Sequence, residues 1–363
     1  MLMTRRNMLQ AFATLPLLNE MAMTGLGAQT PDAPSARPCF LGVAARAEHL
    51  QSDKDFAATV AQHCSWLTPE IHLKWDSLEY QPGHHNFKSV DDLLTFADGH
   101  GMQVRGHTLI WDQSTPQWAK ERLRNERDWA MVHRFFATVL GRYRDRISQW
   151  DVINEPIDVE HGDANLRRTV FHDAFGPTYI ERALDSAHAL APSAQLMINE
   201  YGFEYRNPVD SAKRSAMLAL TERLLKQGAP LHGIGIQAHL DLAKGPLDVA
   251  EMRHFLHELA QMGVSIVVTE LDVREHDLKA PIELRDRRVA DEVRRFLDVA
   301  LSEPAVAGII TWGLSDRFSW LNDTMDEHRA RPDPVALNRG LPYDVAYTPK
   351  PMFYAIQDAM ARA

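Results

Sequence analysis

From about residue 40 onward, short apolar runs alternate with longer stretches of helical period. FLGVAAR (40–46) is followed by SDKDFAATVAQHC, a helical pattern with Ser52 as its expected N-cap. WLTPE (66–70) precedes the helical VDDLLTFADGHG (90–101), and QVRGHTLIW (103–111) precedes RDWAMVHRFFATVLGRYRDR (127–146). ISQWDVINE (147–155) leads to a helix beginning near Pro177, and QLMINEY (195–201) leads to VDSAKRSAMLALTERLLKQG. GIGIQAHL (233–240) precedes DVAEMRHFLHELAQMG, and SIVVTELDV (265–273) precedes a helix from about Arg287 to Ser302. VAGIITWGL (306–314) comes last, before a long loop and PKPMFYAIQDAMARA.

Parallel strands covered on both faces read as continuous apolar runs, as most of these do. Eight such strand–helix units close a ring, so the pattern predicts a single (β/α)8 TIM barrel with its site at the C-terminal ends of the strands. An open doubly wound sheet alternates in the same way, but no G-x-G-x-x-G follows the first strand. No Pro-, Gly- or Ser-rich linker interrupts the pattern, which places one catalytic domain over residues 39–363.

Composition narrows the chemistry. The hydrophobic content of 45% and charged content of 24% are those of a globular protein. A net charge of −10 argues against nucleic acid or an anionic membrane as partner, since both select basic patches. No run of 18 apolar residues appears, and no feature points to a protein partner. Ahead of the pattern, Arg5 and Arg6 precede the apolar AFATLPLL, and Leu26–Ala28 offers a small-residue cleavage site. Residues 1–28 therefore resemble a twin-arginine export signal, which implies a periplasmic or secreted protein, although Asn19 and Glu20 interrupt the apolar stretch.

Cys39 and Cys64 form no C-x-x-C pair. Both fall at the bottom rim of the expected barrel, where a disulfide is geometrically open, and we read them as two unpaired buried thiols. H-E-x-x-H is absent and no His pair stands at i, i+4 with a carboxylate partner, so neither a catalytic metal nor a cofactor is expected.

The strand ends carry the candidate chemistry. Asn154 and Glu155 close the fourth strand, and Glu270 and Asp272 share one face at the end of the seventh. In GIGIQAHL, period two puts Gly233, Gly235, Gln237 and His239 on one face and Ile234, Ile236, Ala238 and Leu240 on the other. The polar face must point into the barrel, where His239 needs a carboxylate partner that Glu270 or Asp272 on the adjacent strand supplies. Two carboxylates on one rim suit acid/base or nucleophilic work. Trp111, Trp312 and Trp320 at or after strand ends add flat apolar faces among polar groups, which suit sugar rings.

In order and spacing, TPEIHLKWD, GMQVRGHTLIW, WDVINEP, INEYG, GIGIQAHL, VTELD, TWGLSDRFSW and YTPKPMFYAI resemble the endo-β-1,4-xylanases of glycoside hydrolase family 10, from Phe40 to Ile356. The resemblance implies a retaining glycosidase that cleaves internal β-1,4 linkages of a β-linked polysaccharide such as xylan. It makes Glu155 the acid/base, Glu270 the nucleophile, and His239 with Asp272 the support of that nucleophile. Asn154 would bind the sugar 2-hydroxyl. Glu70, Lys74, His107, Trp111, Gln237, Trp312 and Trp320 match contacts at the glycone and cleavage subsites, and Tyr201 matches the leaving-group side.

The chain also departs from that pattern. Ile71 stands where the family has a sugar-binding Asn, and WDQSTP puts Asp112 and Ser114 where the family has His and Gln. All three departures map to the distal glycone side, where His72 or Gln113 could substitute for a lost contact. An altered glycone specificity, a catalytically silent sugar-binding barrel and a metal-dependent barrel hydrolase are the competing readings.

Overall fold

The computed structural model describes residues 39–322 and 336–363, which belong to a single compact unit. Among the described residues nine parallel strands run in the order Phe40–Ala45 (β1), Trp66–Pro69 (β2), Gln103–Ile110 (β3), Ile147–Asn154 (β4), Gln195–Glu200 (β5), Gly233–Ile236 (β6), His239–Asp241 (β7), Ser265–Arg274 (β8) and Val306–Thr311 (β9). Neighbouring strands pair from β1 to β6, β6 then pairs with β8, and β9 returns to β1. Eight strands thus close the expected barrel, with helices between them. The short β7 stands outside the ring and pairs with the far end of β8.

The extra strand comes from a break in GIGIQAHL. Ala238 takes a left-handed backbone with φ of 58°, so the period-two alternation stops after Ile236. The inward face is nevertheless as expected. A Cβ on Gly235 would lie 2.2 Å from Asn199 Oδ1 and 3.0 Å from Thr269 Cγ2, so only glycine leaves room for those inward side chains. Lower in the barrel, Met197, Val267 and Ile310 fill the interior beside Phe40, and Arg105 is buried against Gln149 and Asp151.

Several elements differ from those the sequence suggests. Asp53, not Ser52, caps the helix Lys54–His63, its carboxylate accepting from the amides of Asp55 and Phe56. Ser52 instead ends a separate short helix, Ala47–Ser52, and bonds back to the Glu48 carbonyl. The helix expected from Arg287 begins five residues earlier, at Ile282. Its first turns bury Arg285 and Asp286 in ion pairs to Glu275 and Arg339, so charged residues occupy core-facing positions and hide the apolar period. A further helix, Val170–Phe175, precedes the expected one, which runs Tyr179–Leu190. Cys39 and Cys64 are both free, Cys64 buried and Cys39 half-buried, and burial pushes their thiols up to about 12 and about 11.

The chain after β9 returns to the barrel through polar clamps. Lys350 Nζ lies 2.9 and 2.7 Å from the two oxygens of buried Asp316, and Arg339 makes a two-pronged pair with Asp286 at 2.8 and 2.7 Å. Asn322 and Asn338 bind each other twice, through Asn322 Nδ2 to the Asn338 carbonyl at 3.2 Å and Asn338 N to Asn322 Oδ1 at 2.8 Å. Asn338 Nδ2 also donates to the Val273 carbonyl at 3.1 Å, which ties this segment to the end of β8.

Between sheet and helices, Trp150 is fully buried directly across from Gly106. A Cβ on Gly106 would meet the Trp150 ring at 2.2 Å. Gly106→Ala is therefore expected to lower stability by about 1–3 kcal/mol through overpacking. An unchanged denaturant midpoint for that variant would show that the indole has room to move.

Candidate active site

Every site residue predicted from the sequence lies at the C-terminal mouth of the barrel or in the loops above it. Glu155 follows β4 directly and is buried, with 9% of its surface exposed. Its carboxylate accepts from Trp111 Nε1 at 3.0 Å, from Gln237 Nε2 at 3.2 Å and from Asn154 Nδ2 at 3.3 Å. All three donors are neutral. Its backbone is left-handed, with φ of 55°, a conformation that costs a side-chain-bearing residue about 1–2 kcal/mol. That turn lifts the side chain off the strand and into the cleft.

Glu270, on β8, is held differently. Its Oε2 lies 3.1 Å from His239 Nε2, and Asn199 Nδ2 donates to its Oε1 at 2.6 Å. The other nitrogen of His239 lies 2.8 Å from Asp272 Oδ1, as the shared face of Glu270 and Asp272 requires. The break at Ala238 brings His239 opposite Asp272 in the β7–β8 register. Burial disfavours a charged imidazole, but Asp272 and Glu270 outweigh it and raise the His239 pKa to about 10. Burial likewise opposes ionisation of Glu270, yet the His239 hydrogen bond, the nearby charges of His107 and His239 and the Asn199 amide lower it to about 2.

Asn199 links Glu270 to Asn154, which in turn donates to Glu155. The same Nδ2 that donates to Glu270 also donates to Asn154 Oδ1 at 2.8 Å. Thr269 Oγ1 donates to Asn199 Oδ1 at 2.7 Å and so fixes which end of the amide faces Glu270. Gln237 Nε2 reaches both Asn154 Oδ1, at 3.3 Å, and Glu155.

The aromatic residues stand among charged groups of the mouth. Lys74 Nζ stands 4.6 Å from the Trp111 ring and 5.8 Å from that of Trp312. Burial lowers the Lys74 pKa against the pull of Glu270, Glu70, Asp76 and Glu155. His107 packs edge-on to Trp312 at 5.2 Å and is oriented by Asp151, 3.0 Å from its Nδ1. Trp320 Nε1 donates to Asp272 Oδ2 at 2.5 Å, and its ring lies 5.2 Å from His239. Glu70 pairs with Arg46 at 2.7 Å. Tyr201, just past β5, accepts from Arg167 at 3.1 Å and carries Lys213 Nζ 3.5 Å above its ring.

The three departures resolve differently. Ile71 is half-buried next to Glu70, and His72 is turned away, its Nε2 within 3.1 Å of Ala47 N and 3.0 Å of Glu48. His72 therefore does not stand in for the missing Asn. Asp112 is engaged within the protein: its Oδ1 accepts from Val170 N at 2.9 Å and its Oδ2 pairs with Lys120 at 3.3 Å. It anchors the loop after β4. With Gln113, Glu155 and Arg167 it lines a cavity of about 340 Å³. Ser114 is buried and bonds to the Trp111 carbonyl at 3.4 Å.

Asn199, Asp151, Glu200, Lys213 and Arg167 join the site in the structure without having been expected there. Asn199 and Glu200 were legible as polar residues closing an apolar strand, whereas Arg167 lies in a loop that no periodicity marks.

Comparison with known proteins agrees with this geometry. The model for "Glycosyl hydrolase family 10" matches residues 33–359. The chain is 30% identical over 300 residues to endo-1,4-beta-xylanase B of Thermotoga neapolitana, covering 81% of this chain and 80% of that protein. It is 31% identical over 318 residues to endo-1,4-beta-xylanase 3 of Hypocrea jecorina, covering 87% and 81%. The crystal structure of xylanase 10B from Thermotoga petrophila RKU-1 in complex with xylobiose superposes with a TM-score of 0.79, at 28% identity over 90% of this chain and 94% of that one. With the family's fold, the buried carboxylate pair and matches over nearly its whole described length, this chain belongs to glycosyl hydrolase family 10.

Proposed function

We propose that this protein is a retaining endo-1,4-β-xylanase in which Glu270 is the nucleophile and Glu155 the acid/base. The observation that carries the division of roles is the different company of the two carboxylates. Glu270 is met by an imidazole whose charge keeps it ionised, and Glu155 by neutral N–H donors only. An ionised carboxylate suits attack on C1, and one within reach of the departing oxygen suits proton transfer. The xylanase relatives and the tryptophan-lined cleft support xylan as the polymer.

In the first step Glu270 bonds to C1 while the glycosidic oxygen leaves with a proton from Glu155, giving a covalent glycosyl-enzyme. In the second, Glu155 takes a proton from water, whose oxygen displaces Glu270 from C1. Asn154, bonded to Glu155 and joined to Glu270 through Asn199, binds the 2-hydroxyl in this reading. Lys74, Trp111, Trp312 and Trp320 hold the glycone, with His107 and Gln237 at the cleavage subsite. We read residues 1–28 as a twin-arginine signal that exports the enzyme. They lie outside the described residues, and Arg5→Lys with Arg6→Lys should leave the protein unprocessed inside the cell; normal export of that variant would overturn the reading.

Substituting each carboxylate separates the roles. Glu270→Ala should abolish turnover on every substrate. Glu155→Ala should cost about 10²–10⁴-fold on xylo-oligosaccharides and far less on aryl glycosides with activated leaving groups, because only the former need protonation. Added azide should restore the second step and yield a β-glycosyl azide. Equal losses on both substrate types, without rescue, would remove Glu155 from the mechanism.

The imidazole support makes a signed pH prediction. Glu270 is held well below its ordinary value of 4.5, so the wild-type acid limb of kcat/KM should lie below that pH. His239→Gln removes the cation, so the Glu270 pKa should rise and the acid limb move upward by about one pH unit or more. A limb that stays in place would mean that His239 does not set the charge of Glu270.

A further inference from the structure

Glu155 is a side-chain-bearing residue in a left-handed turn, and a single side chain spans that turn from the loop beyond it. Glu155 N donates to the Asn199 carbonyl at 2.8 Å, which ties the entry to β5. Past it, Arg167 Nε donates to the Glu155 carbonyl at 2.9 Å and one terminal nitrogen donates to the Ile157 carbonyl at 3.0 Å. That nitrogen also reaches Tyr201 Oη at 3.1 Å, and Arg167 N donates to the Pro156 carbonyl at 2.7 Å. Three successive carbonyls of the turn, at Glu155, Pro156 and Ile157, thus accept from one residue. Ile157 N is fixed in turn by buried Glu200 at 2.8 Å, which Lys213 holds at 2.8 Å.

The loop that delivers Arg167 is itself pinned. Ile157 bridges to Leu166, and Asp112 with Thr169 caps the helix that begins at Val170. A guanidinium is suited to this task because its donors leave in a rigid plane and can meet carbonyls that point in different directions.

We propose that Arg167 is a positioning residue for proton transfer: it holds the turn that aims the Glu155 carboxyl at the departing oxygen. The inference rests on Glu155 being the acid/base. Arg167 acts through the backbone of Glu155, so its loss should mimic loss of the proton donor.

The test compares Arg167→Met, Arg167→Lys and Glu155→Ala on xylo-oligosaccharides and on a dinitrophenyl xylobioside. Arg167→Met keeps the stem and removes the donors. It should lower kcat/KM on the oligosaccharides by about 10- to 100-fold, since a proton donor misplaced by about 1 Å loses that much. The activated glycoside should change by less than about threefold, because its leaving group needs no proton. Azide, which needs no base to attack C1 and displace Glu270, should raise kcat on that glycoside. Arg167→Lys retains a cation without the planar fork and should show the same split at smaller size, which also serves if the Met variant does not fold. Equal losses on both substrates, or none, in a folded variant would overturn the positioning role. Absence of the split in Glu155→Ala would instead overturn the acid/base reading on which it rests.

Discussion

A carboxylate can be buried in the mouth of a barrel only if its oxygens find donors, and here the donors come from side chains that neighbouring strands deliver at one level. Asn199 is central to that arrangement. One amide nitrogen serves both Asn154 and Glu270, and Thr269 decides which way the amide faces. The space it occupies exists because Gly235 has no side chain. A single missing methyl on one strand thus sets the geometry of two carboxylates on others. Because satisfied buried networks are rigid and half-satisfied ones are costly, the cleft is organised before any sugar enters.

Much of the barrel was legible because buried parallel strands leave an unmistakable apolar signal, and most helices between them showed their period. The rim residues were legible for a related reason: Glu155, Glu270 and Trp111 interrupt or close such runs. What was not legible depended on tertiary partners. Ser52 and Asp53 are both good caps, and only the helix break between them decides which one caps Lys54–His63. Arg285 and Asp286 look like surface residues until their partners are seen. Strand parity put His239 on the correct side of the strand, but through a chain that in fact breaks at Ala238.

The substitutions at Ile71 and Asp112 show how far position in a motif can mislead. Both replace polar residues of the family pattern, and both looked like losses of sugar contacts on one side of the cleft. Ile71 remains an apolar residue beside Glu70, and His72 is spent on Ala47 and Glu48. Asp112 has instead become a structural anion, spent on Lys120 and the amide of Val170. Its effect falls on the acid/base side through the loop it fastens.

The mutual pair of Asn322 and Asn338 has a consequence for how this protein can vary. Trp320 is fixed to Asp272 on one side of the pair, and Arg339 and Lys350 are fixed to Asp286 and Asp316 on the other. The described residues on either side of the pair are thus tied to each other and, through Asn338, to the Val273 carbonyl at the end of β8. Neither asparagine can drift to aspartate without losing a donor: Asn322 would forfeit its bonds to the Asp316 and Asn338 carbonyls, and Asn338 its bond to the Val273 carbonyl.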